Sequence, residues 1–175
     1  IVADAQREVP DRTVGHLEFR GPSATSGYLR NPEETRKLIR GDWLDSGDLA
    51  YVANGDIFIT SRAKDMIIRG GRNIYPYELE EAVGKLPGVR KGCVAIFGAN
   101  DPVAGTERLV VVAETREKAA AALAPLRRQI NQLAVELVGT PTDDIVLAPP
   151  QTVLKTSSGK IRRAATRDLY LQGAI

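Results

Sequence analysis

The sequence is poor in the residues that most often carry metal and covalent chemistry. Cys93 is the only cysteine and His16 the only histidine among 175 residues. A single cysteine excludes an internal disulfide and fits a reducing, cytoplasmic setting. One histidine and one cysteine are too few for a structural zinc site, so no metal site is expected. A histidine-dependent nucleophilic triad would hang on His16 alone. Long hydrophobic runs are missing too. The longest, such as LVVVA at 109–113, are strand-sized, so no membrane span is expected. A basic start followed by an apolar run is also lacking, and with it the pattern of a targeting peptide. Charge of one sign does not dominate. The 24 Lys and Arg against 22 Asp and Glu leave a net charge of +2, too balanced for a protein that coats nucleic acid. The chain opens on Ile1 rather than Met, and its first residues look like the interior of a longer protein. At 43% hydrophobic it can fill one ordinary core, or one small domain and part of another.

What is present reads as short strands and turns, then an alternation of strands and helices. HLEFR at 16–20 alternates like a strand and stops at Gly21-Pro22. Asn31-Pro32 turns the chain into a short helix, PEETRKLI, with Pro first and acids in its first turn. LAYVANGDIFIT at 49–60 is a hairpin pattern around Asn54-Gly55, which supplies the positive-φ residues of a tight turn. From residue 66 the pattern changes. MIIRGGRNI reads as strand, Gly-Gly turn, strand. YPYELEEAVGKLPG reads as a helix with Glu78, Glu80 and Glu81 in its first turns and Leu79, Val83 and Leu86 on one face. Strands at 89–97 and 108–114 precede a helix from about Pro125 to Val138, whose apolar face is Leu126, Ile130, Leu133 and Leu137 and which Gly139 ends. A strand at 145–148, the loop TVLKTSSGK and a last helix, IRRAATRDLYLQ, complete the chain. The fold class is α+β. Residues 1–61 read as a β-rich end piece of a larger domain, 62–65 as a hinge, and 66–175 as a small domain with a β-hairpin and a short mixed sheet flanked by helices.

Three features invite a chemical reading, and each has a plain structural alternative. TSSGK at 156–160 offers backbone N–H groups and one ammonium, which suits a phosphate or carboxylate. The alternative is a flexible surface loop. It is not a nucleotide P-loop, because Leu154 stands where the first Gly is needed and Ile161 where Ser or Thr is needed. Asp48, after Ser46-Gly47, reads as lying on an exposed turn just before the hairpin, where a carboxylate could accept two hydrogen bonds from a ribose diol. The alternative is an Asx turn. Arg62 as a surface charge and Gly70-Gly71 as a simple turn are the ordinary fates of such residues.

Taken together, five stretches resemble, in order, the motifs of the adenylate-forming enzymes: acyl-CoA synthetases, fatty-acyl-AMP ligases, luciferases and peptide-synthetase adenylation domains. The stretches are GHLEFRGPSATSGYLRNPEET, GDWLDSGDLAYVANGDIFITSRAKD, MIIRGGRNIYPYELEEAV, GVRKGCVAIFGANDPVAGTERLVVVAET and VLKTSSGKIRR, and the resemblance covers residues 15–170. Leu154 and Ser61 depart from the family, which often has Pro and Gly there; neither position carries a charge.

The resemblance implies a C-terminal lid domain preceded by the end of a large N-terminal domain. It implies roles as well. Asp48 would hold the ribose hydroxyls of ATP and acyl-AMP, with Arg62 also on the nucleotide. Lys64 would be the pivot between the domains. Gly70 and Gly71 would form the turn that lines the thiol channel. Lys160 would be the catalytic lysine reaching the α-phosphate and the carboxylate. Tyr28 is given packing only. The implied reaction joins a carboxylate, a fatty acid by the closest motifs, to AMP from ATP with Mg2+. It then passes the acyl group to CoA or to the phosphopantetheine of an acyl carrier protein. A non-catalytic module that binds a carrier protein or a nucleotide is the rival reading. The pyrophosphate loop, adenine pocket and acyl tunnel of the family lie upstream of these motifs, so this chain alone is expected to be inactive. Its incomplete first sheet leaves a strand edge that invites dimerisation.

Overall fold

A computed structural model of the chain describes residues 1–3 and 7–175. They divide into two compact units, Ile1–Lys64 and Asp65–Ile175.

The first unit is built on one long strand. β1 (Gly15–Phe19) runs antiparallel to β3 (Trp43–Ala53), and α1 (Pro32–Leu38) and β2 (Ile39–Arg40) lie between them in sequence. On its other side β3 pairs with β2 near Leu44 and with β4 (Asp56–Arg62) from Asp48 to Ala53. Local chemistry explains the turns. Asn31 caps α1 by accepting a hydrogen bond from the N–H of Glu34, and Pro32 fills its first turn. Asn54 and Gly55, both at positive φ, make the two-residue turn of the β3–β4 hairpin. Leu44, Leu49, Ala50 and Ala53 are buried, while Ile57, Phe58 and Ile59 of β4 stay exposed. Tyr28, given packing only, is 56% exposed within this chain, and its backbone N–H bonds to Thr35 Oγ1.

The second unit begins with a 3-10 turn, Ala63–Asp65 (its first two residues lie on the other side of the division), and the hairpin β5 (Ile67–Arg69) to β6 (Arg72–Ile74). α2 (Pro76–Gly84) follows. The central sheet has the order β7 (Val89–Asp101), β8 (Thr106–Thr115), β9 (Asp144–Ala148). The first pair is antiparallel and the second parallel, and α3 (Ala120–Val138) carries the crossover. α4 (Arg163–Leu171) comes last. β8 is buried on both faces, which is why it reads as an unbroken apolar run. One face, with Val94, Ile96, Leu109, Val111 and Ala113, packs with Leu79 and Val83 of α2, with Leu126, Ile130 and Ala134 of α3, and with Ile67 and Ile74 of the hairpin. The other face, with Ala95, Phe97, Val110 and Val112, packs with Val153, Ile161 and Tyr170. Each fully buried aliphatic side chain contributes roughly 1.5–3 kcal/mol, so this double layer dominates the unit's stability.

Two details of α3 differ from the sequence expectation. It starts at Ala120, five residues ahead of Pro125, because the alanine-rich run 119–124 continues the helix through its first turns; Pro125 sits inside, where it cannot donate to the carbonyl of Ala121. The buried stripe runs Leu126, Ile130, Ala134, with Val138 packed beside it, and Leu137 is 45% exposed. The +4 ridge faces the sheet, and Ala134 keeps that approach close.

Candidate functional site

Asp48 lies inside β3 rather than on a turn ahead of the hairpin. The cause is a bulge. His16 pairs with Leu49 and Glu18 with Asp45, so Ser46, Gly47 and Asp48 together face the single residue Leu17. Gly47 adopts φ +72° in this bulge. Asp45 Oδ1 accepts from the N–H of Gly47 at 2.8 Å. The Ser46 hydroxyl donates to the carbonyl of Leu17 at 2.7 Å and accepts from the N–H of Asp48 at 3.1 Å. The bulge re-aims Asp48 toward the neighbouring strand, where it is in register with Arg62. Arg62 Nε lies 3.1 Å from Asp48 Oδ1, with the carboxylate half-buried and the guanidinium exposed. Two residues fourteen positions apart, both given to the nucleotide by the family resemblance, thus stand side by side. A carboxylate acceptor beside a multidentate donor is a suitable pair for a diol and its neighbouring anion.

Lys64 is exposed on the 3-10 turn. Gly70 and Gly71 form the exposed β5–β6 turn at φ +55° and +75°. A Cβ at either would meet nothing within 4 Å, so conformation rather than space within the unit favours glycine there. The flanking Arg69 is anchored. Its guanidinium donates to Thr140 Oγ1, to the carbonyl of Pro141 and to Asp143.

Lys160 stands at the end of a small hairpin of its own. Lys155 bridges Ile161, the N–H of Thr156 donates to the carbonyl of Lys160 at 2.8 Å, and the N–H of Gly159, at φ +81°, donates to the carbonyl of Thr156 at 2.9 Å. The N–H of Lys160 donates to Thr156 Oγ1 at 3.1 Å. Several of the loop's N–H groups are therefore occupied within the turn. What it presents outward is chiefly the exposed lysine. The hairpin is latched to α4: Thr166, fully buried, accepts from the N–H of Leu154, and the N–H of Arg162 donates to the carbonyl of Leu154. Lys160 and the Gly70-Gly71 turn sit on separate hairpins of one unit.

Sequence reasoning did not foresee a buried ion-pair cluster in this unit. Glu80, which the sequence places only in the first turns of α2, is buried. Its carboxylate accepts from the N–H of Ile96 and takes a two-pronged contact from Arg163, Nε to Oε1 and Nη2 to Oε2, each 2.7 Å. Arg163 also donates to Asp65 Oδ2 at 2.6 Å. Burial pushes the Glu80 carboxyl above its ordinary range against the pull of Arg163, and the Glu80 contact holds the Arg163 guanidinium more firmly protonated still. The signal was faint: Glu80 follows Leu79 and precedes Val83 by three, at the margin of the apolar face. Among the described residues no group of three His, Cys, Asp or Glu could hold a metal, and no helix is long and apolar enough to cross a membrane.

No protein-family model matches the chain. Individual proteins do. A Caulobacter vibrioides protein carrying an acyl-CoA synthetase name is 37% identical over 172 residues, spanning 97% of this chain and 30% of that protein. The long-chain-fatty-acid–AMP ligase FadD26 of Mycobacterium marinum is 33% identical over 181 residues, spanning 93% of this chain and 30% of the ligase. Among solved structures, a fatty acyl-adenylate ligase from a study of the E. coli and L. pneumophila enzymes superposes with a TM-score of 0.84 at 30% identity, covering 99% of this chain and 30% of that one. McyG A-PCP complexed with phenylalanyl-adenylate gives a TM-score of 0.88 at 29% identity, covering 99% of this chain and 27% of that one. The chain spans about a third of the length of the curated relatives it matches.

Proposed function

We propose, from the premise that the chain belongs to the adenylate-forming enzymes as a C-terminal part of one, that it serves an ATP-dependent acyl-activating ligase acting on a fatty acid. The observation that carries this is the Asp48–Arg62 pair, formed across two strands by residues that the resemblance gives to one nucleotide. In this reading Asp48 accepts from the ribose hydroxyls and Arg62 donates to the nucleotide beside it.

The reaction has two steps. A carboxylate oxygen attacks the α-phosphorus of ATP, the bond to the β-phosphate oxygen breaks, and pyrophosphate leaves. Lys160 supplies a positive charge where negative charge gathers between the carboxylate and the α-phosphate. A thiol then attacks the acyl carbonyl, AMP leaves with the bonding electrons, and the thiol proton passes to solvent. The Gly70-Gly71 turn is the element given to the thiol, and Lys64 is the residue whose backbone rotates between the steps. Mg2+ would neutralise phosphate charge. In this reading it is bound mainly by the parts of the longer protein upstream of these motifs. The acceptor is CoA or a carrier protein's phosphopantetheine. The second receives its own weight because relatives named as AMP ligases and an adenylation–carrier structure stand among the matches. A cytoplasmic location belongs to the same reading.

The test uses the longer protein that carries this chain. Lys160→Ala should lower ATP–pyrophosphate exchange by about 10²–10³, the usual loss for one preorganised transition-state contact. Thioester formation from supplied acyl-AMP should be largely spared. Equal damage to both steps would remove Lys160 from the adenylation role.

A further inference from the structure

We infer that Thr106 is a positioning residue for the thiol step, through the Gly70-Gly71 turn; the inference rests on the reading just given of that turn. The β5–β6 hairpin is not a strand of the central sheet. Side chains from the start of β8 hold it instead. The N–H of Gly70 donates to Thr106 Oγ1 at 2.9 Å, and the same hydroxyl donates to the carbonyl of Ile68 at 3.3 Å. One hydroxyl therefore clamps the turn on both sides of Arg69, accepting from one backbone group and donating to the other. Glu107 adds a second tie, since its Oε2 accepts from the N–H of Ile68 at 2.6 Å. Gly98, on the facing strand, leaves the room this carboxylate occupies: a Cβ there would come within 2.5 Å of it.

Thr106 and Glu107 open β8, just after the turn Asp101–Gly105, in which Asp101 Oδ1 accepts from the N–H groups of Val103 and Ala104. Thr106 and Glu107, with Ile68, Gly70, Gly71 and Asn100, border an open cavity of about 550 Å³. A turn of two glycines has wide conformational freedom of its own. The clamp removes it and presents the backbone at one height above the cavity. A step that needs the turn in register should depend on the clamp. A step carried by Lys160, on the separate hairpin, should not.

The experiment compares Thr106→Val with Thr106→Ser in the longer protein, assaying pyrophosphate exchange and thioester formation from supplied acyl-AMP separately, with CoA and a phosphopantetheinylated carrier protein as acceptors. Valine keeps the shape and loses both hydrogen bonds, so thioester formation should fall about tenfold while exchange stays within about twofold. Serine keeps the hydroxyl and should restore the thiol step. Amide exchange supplies a readout independent of turnover: the Gly70 N–H should lose protection in Thr106→Val, while β7 and β8 amides keep theirs. Unchanged thioester formation, equal loss of both steps, no rescue by serine, or an unaltered Gly70 amide would each overturn the inference. Failure of the underlying reading looks different: the unsubstituted protein itself would make no thioester with either acceptor, and the inference would fall with it.

Discussion

Between Asp65 and Ile175 a three-stranded sheet is covered on both faces, with β8 buried from Leu109 to Ala113. Between Ile1 and Lys64 four strands share one small set of buried residues, Leu44, Leu49, Ala50 and Ala53. The two units also differ in how they use charge. The second buries Glu80 and Glu114 and answers each with an arginine, Arg163 and Arg90. The first keeps its Asp48–Arg62 pair half in solvent, where such a pair adds little to stability and remains open to a ligand. The difference separates two uses of an ion pair: one locks elements together, the other is on offer.

Removing Arg163 should show the locking use at full size. Arg163→Met leaves the Glu80 carboxylate buried and unanswered and frees Asp65, which should cost about 3–5 kcal/mol. Trp43, the only tryptophan, lies in the first unit. Its fluorescence transition in denaturant should therefore hardly move while the far-UV circular dichroism midpoint falls. Shifts of equal size in both signals would dissolve the contrast between the units. Replacing Glu80 by Met in the same protein should recover part of the loss, since an apolar pair carries no stranded charge.

How far these features could be read in advance depends on how local their causes are. The helix start at Asn31-Pro32, the Asn54-Gly55 turn and the Gly139 stop were legible because a few adjacent residues decide them. The buried run of β8 was legible because β8 is covered on both faces. Asp48 was placed on the wrong element because its strand contains a bulge set by the partner residue Leu17, which no run of adjacent residues encodes. The burial of Glu80 was not legible because its partner lies 83 residues further along. Pro125 suggested a helix start because proline favours the first turn, and the alanines before it outweighed that signal. The five ordered motifs named the candidate lysine, but not what holds its hairpin to α4.

A smaller effect tests whether the bulge in the first unit is built or incidental. Ser46→Ala removes one hydroxyl that both donates to Leu17 and accepts from Asp48. Loss of about 1 kcal/mol in the Trp43-monitored transition is expected, the net value of such a bond. In the longer protein, apparent ATP affinity should weaken with it, because Asp48 loses its anchor. Weakened ATP binding without a stability change would show that the hydroxyl serves aim more than folding.

The smallest stability effect should come from the exposed strand of the first unit. Ile57 and Ile59 are 58% and 64% exposed, and Phe58 lies between them. Among the described residues β4 pairs only with β3. An apolar strand with an open edge is a template for pairing with another chain, and a lysine placed on it opposes that pairing by charge. Ile59→Lys removes little buried surface, so the unfolding free energy should stay within about 0.5 kcal/mol. Association should respond instead. Sedimentation of the chain across a concentration series should show dimers for the unsubstituted protein and fewer for Ile59→Lys. The matching substitution inside the second unit, Ile130→Lys, would bury a charge in a packed core and should prevent folding of that unit. If Ile59→Lys destabilised the chain by several kcal/mol, β4 would be a core strand in solution, and the contrast between a filled unit and an open one would fail. If it changed neither stability nor association, the open edge would stand without a role in pairing.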